Sequence, residues 1–337
     1  MTKRLLTVTN RDDLHADLVG QRVTELGEPM FRLNLDEFPE QFSIEMGLLH
    51  GRWEGNLTHI PTGDAVRLSN VGATWIRKRA DFSFPSKQLP PQERAYAEAE
   101  TEHLLFSLLH SLDCYWMSHP SAMRGAGWKG EQLQRAARMG FTVPASLATN
   151  RPQAAGAFLA SRDQIVFKAQ SSASLAAERV EPEARISGVL PTTLITAAHR
   201  DLLEAVTELP CFFQDYVPKS YELRVTVIGD RVFAAKIHSQ DDPRTAVDWR
   251  DMSAEIRYEK ATLPDEIERR CRAFVQSYGL TFGALDLIVT PEGDHVFLEN
   301  NPGGQFLFVQ ELVPELDMIG AVADCLREGA RRQGEGR

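Results

Sequence analysis

The sequence predicts an α/β (α+β) protein in two parts: an N-terminal α/β domain, then a longer region of antiparallel hairpins and flanking helices. Three observations carry this. A β-type run at residues 5–9, a helical stretch at 14–26 closed by Gly27, and a second run at 30–33 make one β-α-β unit. Two apolar runs flank Gly229-Asp230, and two more flank Pro291-Glu292-Gly293-Asp294, both turn signals between β-rich segments. Helical patterns at 131–139, 264–278 and the C-terminus separate the strand runs.

Taken in order, residues 42–68 hold short alternating runs punctuated by Gly51, Gly55, Pro61 and Gly63, which suggest hairpins. Residues 73–77 read as a further strand. A proline-rich loop at 85–91 precedes a helix over 94–112, with Ala95, Ala99, Leu104, Leu105, Leu108 and Leu109 on its apolar side. Ser118-His-Pro120 marks a domain boundary, giving an N-terminal domain at 1–118 and a second domain at 119–330, with lobes at about 119–210 and 211–330. Within it, 164–168 and 211–217 are strands, 223–228 and 232–237 form a hairpin, and a last helix ends near 328. The Gly-rich tail, including 331–337, is expected to fray.

The composition is that of a globular protein: 337 residues, 43% hydrophobic and 25% charged. The net charge of −10 argues against nucleic-acid or anionic-membrane partners. Cys114, Cys211, Cys271 and Cys325 are far apart, so neither a zinc site nor a disulfide framework is indicated. The N-terminus lacks the apolar core of a signal peptide and no run is long enough to span a membrane, which leads us to expect a cytoplasmic protein. The histidines show no His-Glu-x-x-His arrangement. There is no Gly-x-Ser-x-Gly elbow, P-loop or Gly-x-Gly-x-x-Gly fingerprint, which disfavours triad hydrolases, P-loop kinases and Rossmann dehydrogenases.

The hairpin at 282–304 says most about chemistry. Side chains alternate along a strand, so Glu299 and Asn301 share a face. A two-residue loop at Glu292-Gly293 would set Asp286 directly opposite Glu299. A three-residue loop would shift the register by one and spoil that pairing unless a bulge restored it. Two carboxylates and an amide oxygen would converge, a hard-oxygen set suited to Mg²⁺ shared with substrate phosphates. A solvated polar face is the plain alternative.

Other residues carry weaker signals. Lys168 ends an apolar strand, where it either finds a partner or snorkels to solvent. Lys129 stands just before a helix. Residues 211–217 read as a core strand or as a hinge whose backbone at 214–217 can read an adenine edge. Glu222 and Arg224 share a strand face, suited to ribose hydroxyls and to a bidentate phosphate or carboxylate clamp, or simply to an ion pair. Lys236 and His238 repeat this spacing on the next strand. With Gln240, Arg244, Arg250 and Arg257 they suggest a local basic cluster for an anionic substrate, or a solvated loop.

In this order the pieces resemble an ATP-grasp ligase: Lys129, Lys168, Gln214-Asp-Tyr-Val217, Glu222-Leu-Arg224, Asp286 and Glu299-Asn-Asn301. The chain is similar, more closely, to the microviridin-type ligases that build graspetides, macrocyclic peptides made from ribosomal precursors. That likeness rests on Trp75-Ile-Arg-Lys-Arg79, residues 116–120 and 140–144, Phe213-Gln-Asp-Tyr-Val-Pro-Lys219, Asp248-Trp-Arg250 and residues 297–305, and spans nearly the whole chain.

The resemblance implies a pre-ATP-grasp domain followed by a two-lobed ATP-grasp fold using ATP and Mg²⁺. Lys129 and Lys168 would touch nucleotide phosphates; Gln214, Tyr216 and Val217 would line the adenine hinge with Leu298 beneath the base; Asp286, Glu299 and Asn301 would hold magnesium. Arg224 would sit at the transferred phosphate and Arg250 near it or the substrate carboxylate. The partner implied is a ribosomal precursor peptide. Its leader would dock at about 187–208, and its acidic core would meet Arg224, Lys236, His238 and Arg250; a homodimer is compatible with this. The sequence departs from the family's glycine-rich flap, with Gln170-Ser-Ser-Ala-Ser-Leu-Ala-Ala177 after the Lys168 strand, so no flap residue is assigned. An amino-acid or ribosomal-protein-type ligase, and a nonenzymatic ATP-binding regulator, are the alternative readings.

Overall fold

The computed structural model describes residues 3–171, 190–251 and 253–335. The expected β-α-β unit opens it: β1 (Arg4–Thr9), α1 (Leu14–Glu25) and β2 (Met30–Asn34), with the two strands parallel. Next come β3 (Phe42–Leu49), β4 (Arg52–His59) and β5 (Asp64–Arg67), a three-stranded antiparallel sheet. Then follow β6 (Val71–Ile76), α2 (Pro91–His110) and β7 (Tyr115–Trp116), the strands completing a parallel sheet in the order β2-β1-β6-β7. The apolar face of α2 is narrower than the sequence suggests. Leu105, Leu108 and Leu109 are buried, whereas Ala95, Ala99 and Leu104 face solvent, because the stripe at three- and four-residue spacing from Leu105 passes through Ala97 and Thr101 instead.

Two short helices, α3 (Pro120–Ala126) and α4 (Lys129–Arg138), lead into β8 (Ser146–Thr149), α5 (Pro152–Ala160) and β9 (Ile165–Phe167). After these come β10 (Thr193–Leu194), α6 (Ala197–Arg200) and β11 (Cys211–Asp215), giving an antiparallel sheet in the order β10-β9-β11-β8. The remaining strands are β12 (Tyr221–Ile228), β13 (Arg231–Ile237) and β14 (Tyr258–Lys260), followed by α7 (Asp265–Gln276), β15 (Phe282–Val289) and β16 (His295–Asn301). They form a five-stranded antiparallel sheet, β14-β13-β12-β15-β16, and α8 (Leu307–Leu312) and α9 (Met318–Glu335) close the chain.

Leu223, Val225, Leu285, Leu287 and Phe297 bury one face of the five-stranded sheet against α7 and α4. The opposite face changes character along its length. At one end Ile228, Phe282 and Ala284 join a core with Leu5, Val19 and Trp75 of the N-terminal sheet and with α9. At the other end the same face carries Glu222, Arg224, Asp286 and Ile288. Helix α9 packs on α1 and β6, so the C-terminus is built into the first sheet and its helix runs to Glu335, through a segment expected to fray. Gly329 makes this possible, since a Cβ there would collide with the Tyr115 ring. The chain at Ser118 is likewise no loose linker: this buried residue has φ of 61°, and its Oγ accepts from the Thr281 and Phe282 amides at 3.1 Å.

Candidate active site

The carboxylate hairpin arises by the less simple of the two routes weighed from sequence. Its loop holds three residues, Pro291-Glu292-Gly293: the Gly293 amide donates to Thr290 O, the Thr290 amide to Asp294 O, and Gly293 has φ of 91°. This shifts the register, pairing Leu287 with Phe297 rather than Leu298. A β-bulge between Asp286 and Leu287 then absorbs one extra residue and returns Asp286 to its place opposite Glu299. The bulge also sorts side chains. Phe297 enters the core behind the sheet, while consecutive Leu298 and Glu299 both line the cavity in front.

Around that cavity stand Lys129, Lys168, Gln214, Tyr216, Val217, Glu222, Leu298, Arg250, Asp286, Glu299 and Asn301, all singled out from sequence. Arg224 lies directly opposite Asp286 on the neighbouring strand and donates to both its oxygens from Nη1, at 2.8 and 3.0 Å. Its Nη2 donates to Gln305 O at 3.2 Å, and Gly304 lets that loop close over it, a Cβ there falling 2.6 Å from Ala284. Lys129 opens α4 and lies 3.0 Å from Glu299. Arg250 is forked on Asp248 at 2.8 and 2.6 Å, with Nη1 4.0 Å from Glu299. The amide of Asn301 points its nitrogen at Asp286 and Glu299, 3.4 Å from each, so a cation would need that amide turned to present oxygen.

The two carboxylates are electrostatically unequal. Burial pushes Asp286 up, and the nearby Glu299 adds to it against the pull of Arg224. Burial acts on Glu299 in the same sense, but Lys129, Lys168 and Arg250 together outweigh it and hold Glu299 at about 2. Burial lowers Lys168, with Lys129 and Arg250 adding to the effect and Glu299 opposing it. Burial raises Glu222, whose partner Lys219 opposes the shift from 2.7 Å. Asp248 resists its own burial because Arg250 holds it down at about 2.

At the hinge, the Asp215 and Tyr216 amides are taken by Ala145 O and Gln164 O, and among the described residues no acceptor takes the Val217 N–H. The buried Gln214 amide donates to Ser146 Oγ at 3.0 Å. Val166, Ile288 and Leu298 supply an apolar lining beside Tyr216. The residue chemistry fits a nucleotide with magnesium. Two carboxylates and one amide fall short of an all-protein cage, and a Mg²⁺ ion that shares phosphate oxygens needs no more.

Lys236 and His238 are not brought to this cavity. Directly paired residues share a sheet face, and Lys236 pairs with Leu223, not with Glu222 or Arg224. It therefore points behind the sheet, over the Tyr221 ring, and shares Glu259 with His238, each at 3.0 Å. The expected basic cluster is dispersed as well: Arg244 pairs with Asp242 and Arg257 with Asp241. Of these arginines Arg250 alone lines the cavity. Sequence reasoning gave no role to Lys219, Asp248 or Trp249, which line it too. The Asp248-Trp-Arg250 spacing was the available signal, since an acid two residues before an arginine can clamp it in a loop. Residues 172–177 of the flap segment lie outside the described residues.

A cavity between two antiparallel sheets, with a hinge strand on one side and a carboxylate pair ringed by lysine and arginine on the other, is the arrangement expected of an ATP-grasp enzyme. A family model, the MvdD pre-ATP grasp domain, matches residues 4–124. Among solved structures, a RiPP-associated ATP-grasp ligase of Chryseobacterium gregarium, in complex with ADP and a leader and core peptide, superposes with a TM-score of 0.87 at 27% identity, covering 97% of each chain. Macrocyclase MdnC of Microcystis aeruginosa, bound with precursor peptide MdnA, gives 0.84 at 27% identity over 97% of this chain and 100% of that one. Macrocyclase MdnB of the same organism gives 0.76 at 26% identity over 96% and 99%. No curated protein matches the sequence. The chain is an ATP-dependent ATP-grasp ligase similar to these RiPP-associated enzymes, and its N-terminal region matches the MvdD pre-ATP grasp domain. Among the described residues no helix is long and apolar enough to cross a membrane.

Proposed function

We propose that this enzyme activates Glu or Asp side chains of a ribosomal precursor peptide as acyl phosphates, and joins them to Thr or Ser hydroxyls as ω-esters or to Lys amines as ω-amides. ATP is cleaved to ADP and phosphate. The observation that carries this reading is one cavity in which Asp286, Glu299 and Asn301 meet Lys129, Lys168 and Arg250, with Arg224 paired to Asp286 at its edge. The MdnC structure with its precursor peptide, and the Chryseobacterium structure with ADP and peptide, support it by likeness.

In this reading residues 119–330 form the ATP-grasp unit, and the nucleotide lies between its lobes at 119–210 and 211–330. Val217 N–H and the Gln214 side chain face the adenine edge, with Leu298 beneath the ring. Glu222 takes the ribose, and Lys129 and Lys168 take phosphates. Asp286, Glu299 and Asn301 hold Mg²⁺, which supplies charge neutralisation on the phosphates. A substrate carboxylate oxygen attacks the γ-phosphorus as the bond to the ADP oxygen breaks. Arg224 and Arg250 screen the repulsion between these anions and hold them in line. The incoming hydroxyl or amine then displaces phosphate and loses its proton.

Each ring should lower the mass of the precursor by one water, with one ADP released per ring and an absolute need for Mg²⁺. Mass spectrometry and nucleotide chromatography read both. AMP and pyrophosphate as products would reject the acyl-phosphate route, and a product carrying an added amino acid would point to an amino-acid ligase. Mild alkali restores the lost water to an ester and leaves an amide intact.

Recognition is divided in this reading between leader and core. Of the leader surface suggested from sequence, Leu190 and Leu202 are exposed at 42% and 66%, whereas Val206 is core and Leu203 packs against it. Arg250→Ala should reduce turnover by about 10² while leaving leader affinity, read by fluorescence anisotropy, within about twofold. Equal loss of both would contradict the division.

A further inference from the structure

A second cavity lies on the other side of Pro302 and takes no part in the chemistry above. It is an open groove of about 1010 Å³ between residues 76–79, one side of α2, and α3. Arg77, Lys78, Arg79 and Arg124 line it against a single carboxylate, Glu102. On a chain of net charge −10 this is a local reversal of sign.

The four cations are not equally committed. Arg79 is paired with Glu102 at 3.1 Å and stacks over the Phe106 ring. Arg77 is buried and donates from Nη1 to Gly303 O at 2.8 Å, but its Nη2 has no hydrogen-bond partner among the described residues. Lys78 has one carboxylate within reach, the fully buried Asp13 at 3.6 Å, which also serves Arg77 at 4.0 Å and His15 at 3.5 Å. Arg124, exposed on the last turn of α3, has no acidic partner among the described residues. Positive charge is therefore uncompensated at Arg124 and only partly compensated at Lys78, which shares the one buried carboxylate of Asp13 with Arg77.

Resting on the peptide-modifying function proposed above, we propose that this groove holds an acidic stretch of the precursor that flanks the carboxylate being activated. Position argues for it as well as charge. Pro302 lines the groove and Asn301 lines the active cavity, so adjacent residues of one strand end border both. An extended peptide advances about 3.3 Å per residue, so a chain crossing the Asn301–Pro302 border would set acids next to the reacting one in this groove. An open groove takes an extended chain more readily than a folded partner, and anchoring the flanking acids raises the effective concentration of the reacting carboxylate.

The test uses the full chain with ADP and Mg²⁺ and two short fluorescein-labelled peptides, one alternating threonine with glutamate and the other threonine with glutamine. The glutamate peptide should bind in an anisotropy titration, and the glutamine peptide at least about tenfold more weakly. Lys78→Glu with Arg124→Glu should weaken the glutamate peptide by about tenfold or more and leave ADP affinity, read by calorimetry, unchanged. Unaltered glutamate-peptide affinity in that double variant, or equal affinity of the wild type for both peptides, would overturn the proposal. Failure of the underlying functional reading has a different signature, a wild-type chain that with ATP and Mg²⁺ releases no ADP or gives a product carrying an added amino acid, whatever the groove does.

Discussion

Replacing Glu299 by glutamine should cut ADP release by roughly 10²–10³ while leaving the circular dichroism spectrum unchanged. The substitution keeps the shape and removes one negative charge from the middle of three cations, Lys129, Lys168 and Arg250. Glu299 carries its charge at neutral pH because those cations outweigh its burial, so it is the more readily ionised member of the pair with Asp286. In Glu299→Gln the remaining carboxylate is already forked on Arg224 and makes a poor metal site alone. The loss should fall on metal-dependent turnover, and raising Mg²⁺ should recover part of it. Wild-type protein treated with EDTA should fall to a similar level. Turnover at the wild-type rate in the variant would remove Glu299 from the metal site.

The strands that carry this chemistry were legible in the sequence because each is a strong apolar run closed by a turn signal. The same holds for α1 and for α4, whose ends at Gly27 and Gly140 adopt φ of 77° and 86°. What the sequence concealed is non-local. Nothing in residues 295–301 by themselves announces a bulge, and whether Asp286 faces Glu299 depends on a three-residue loop and that bulge cancelling. Alternation predicts a side chain's face only within one strand. Lys236 has the same spacing to His238 as Glu222 to Arg224, yet pairing with Leu223 sets it behind the sheet. Net charge along a segment was also misleading, since Asp241, Asp242 and Asp248 neutralise the arginines between residues 244 and 257. The return of α9 to the first sheet is a tertiary event that a Gly-rich tail disguises, because Gly329 serves to admit the Tyr115 ring.

Replacing Arg224 by methionine should destabilise the protein by about 3–5 kcal/mol, in addition to abolishing turnover. The side chains of Arg224 and Asp286 are only 6% and 9% exposed, and their strands pair them directly. Removing the guanidinium leaves a buried carboxylate without its compensating charge, and Glu299 nearby makes ionisation of Asp286 harder still. The Gln305 carbonyl also loses its donor, freeing the loop after Asn301. Two contributions are thus mixed in a single variant, and a second one separates them. Arg224→Met with Asp286→Leu removes both charges and fills similar space, so most of the stability should return because no uncompensated ion is left. Activity should not return, because a clamp and a metal ligand are both gone. Urea titrations of the three proteins measure the first expectation and ADP release the second. If Arg224→Met unfolds at the wild-type urea midpoint, the buried pair is not what holds these strands together. If the double variant regains turnover, neither residue belongs to the site.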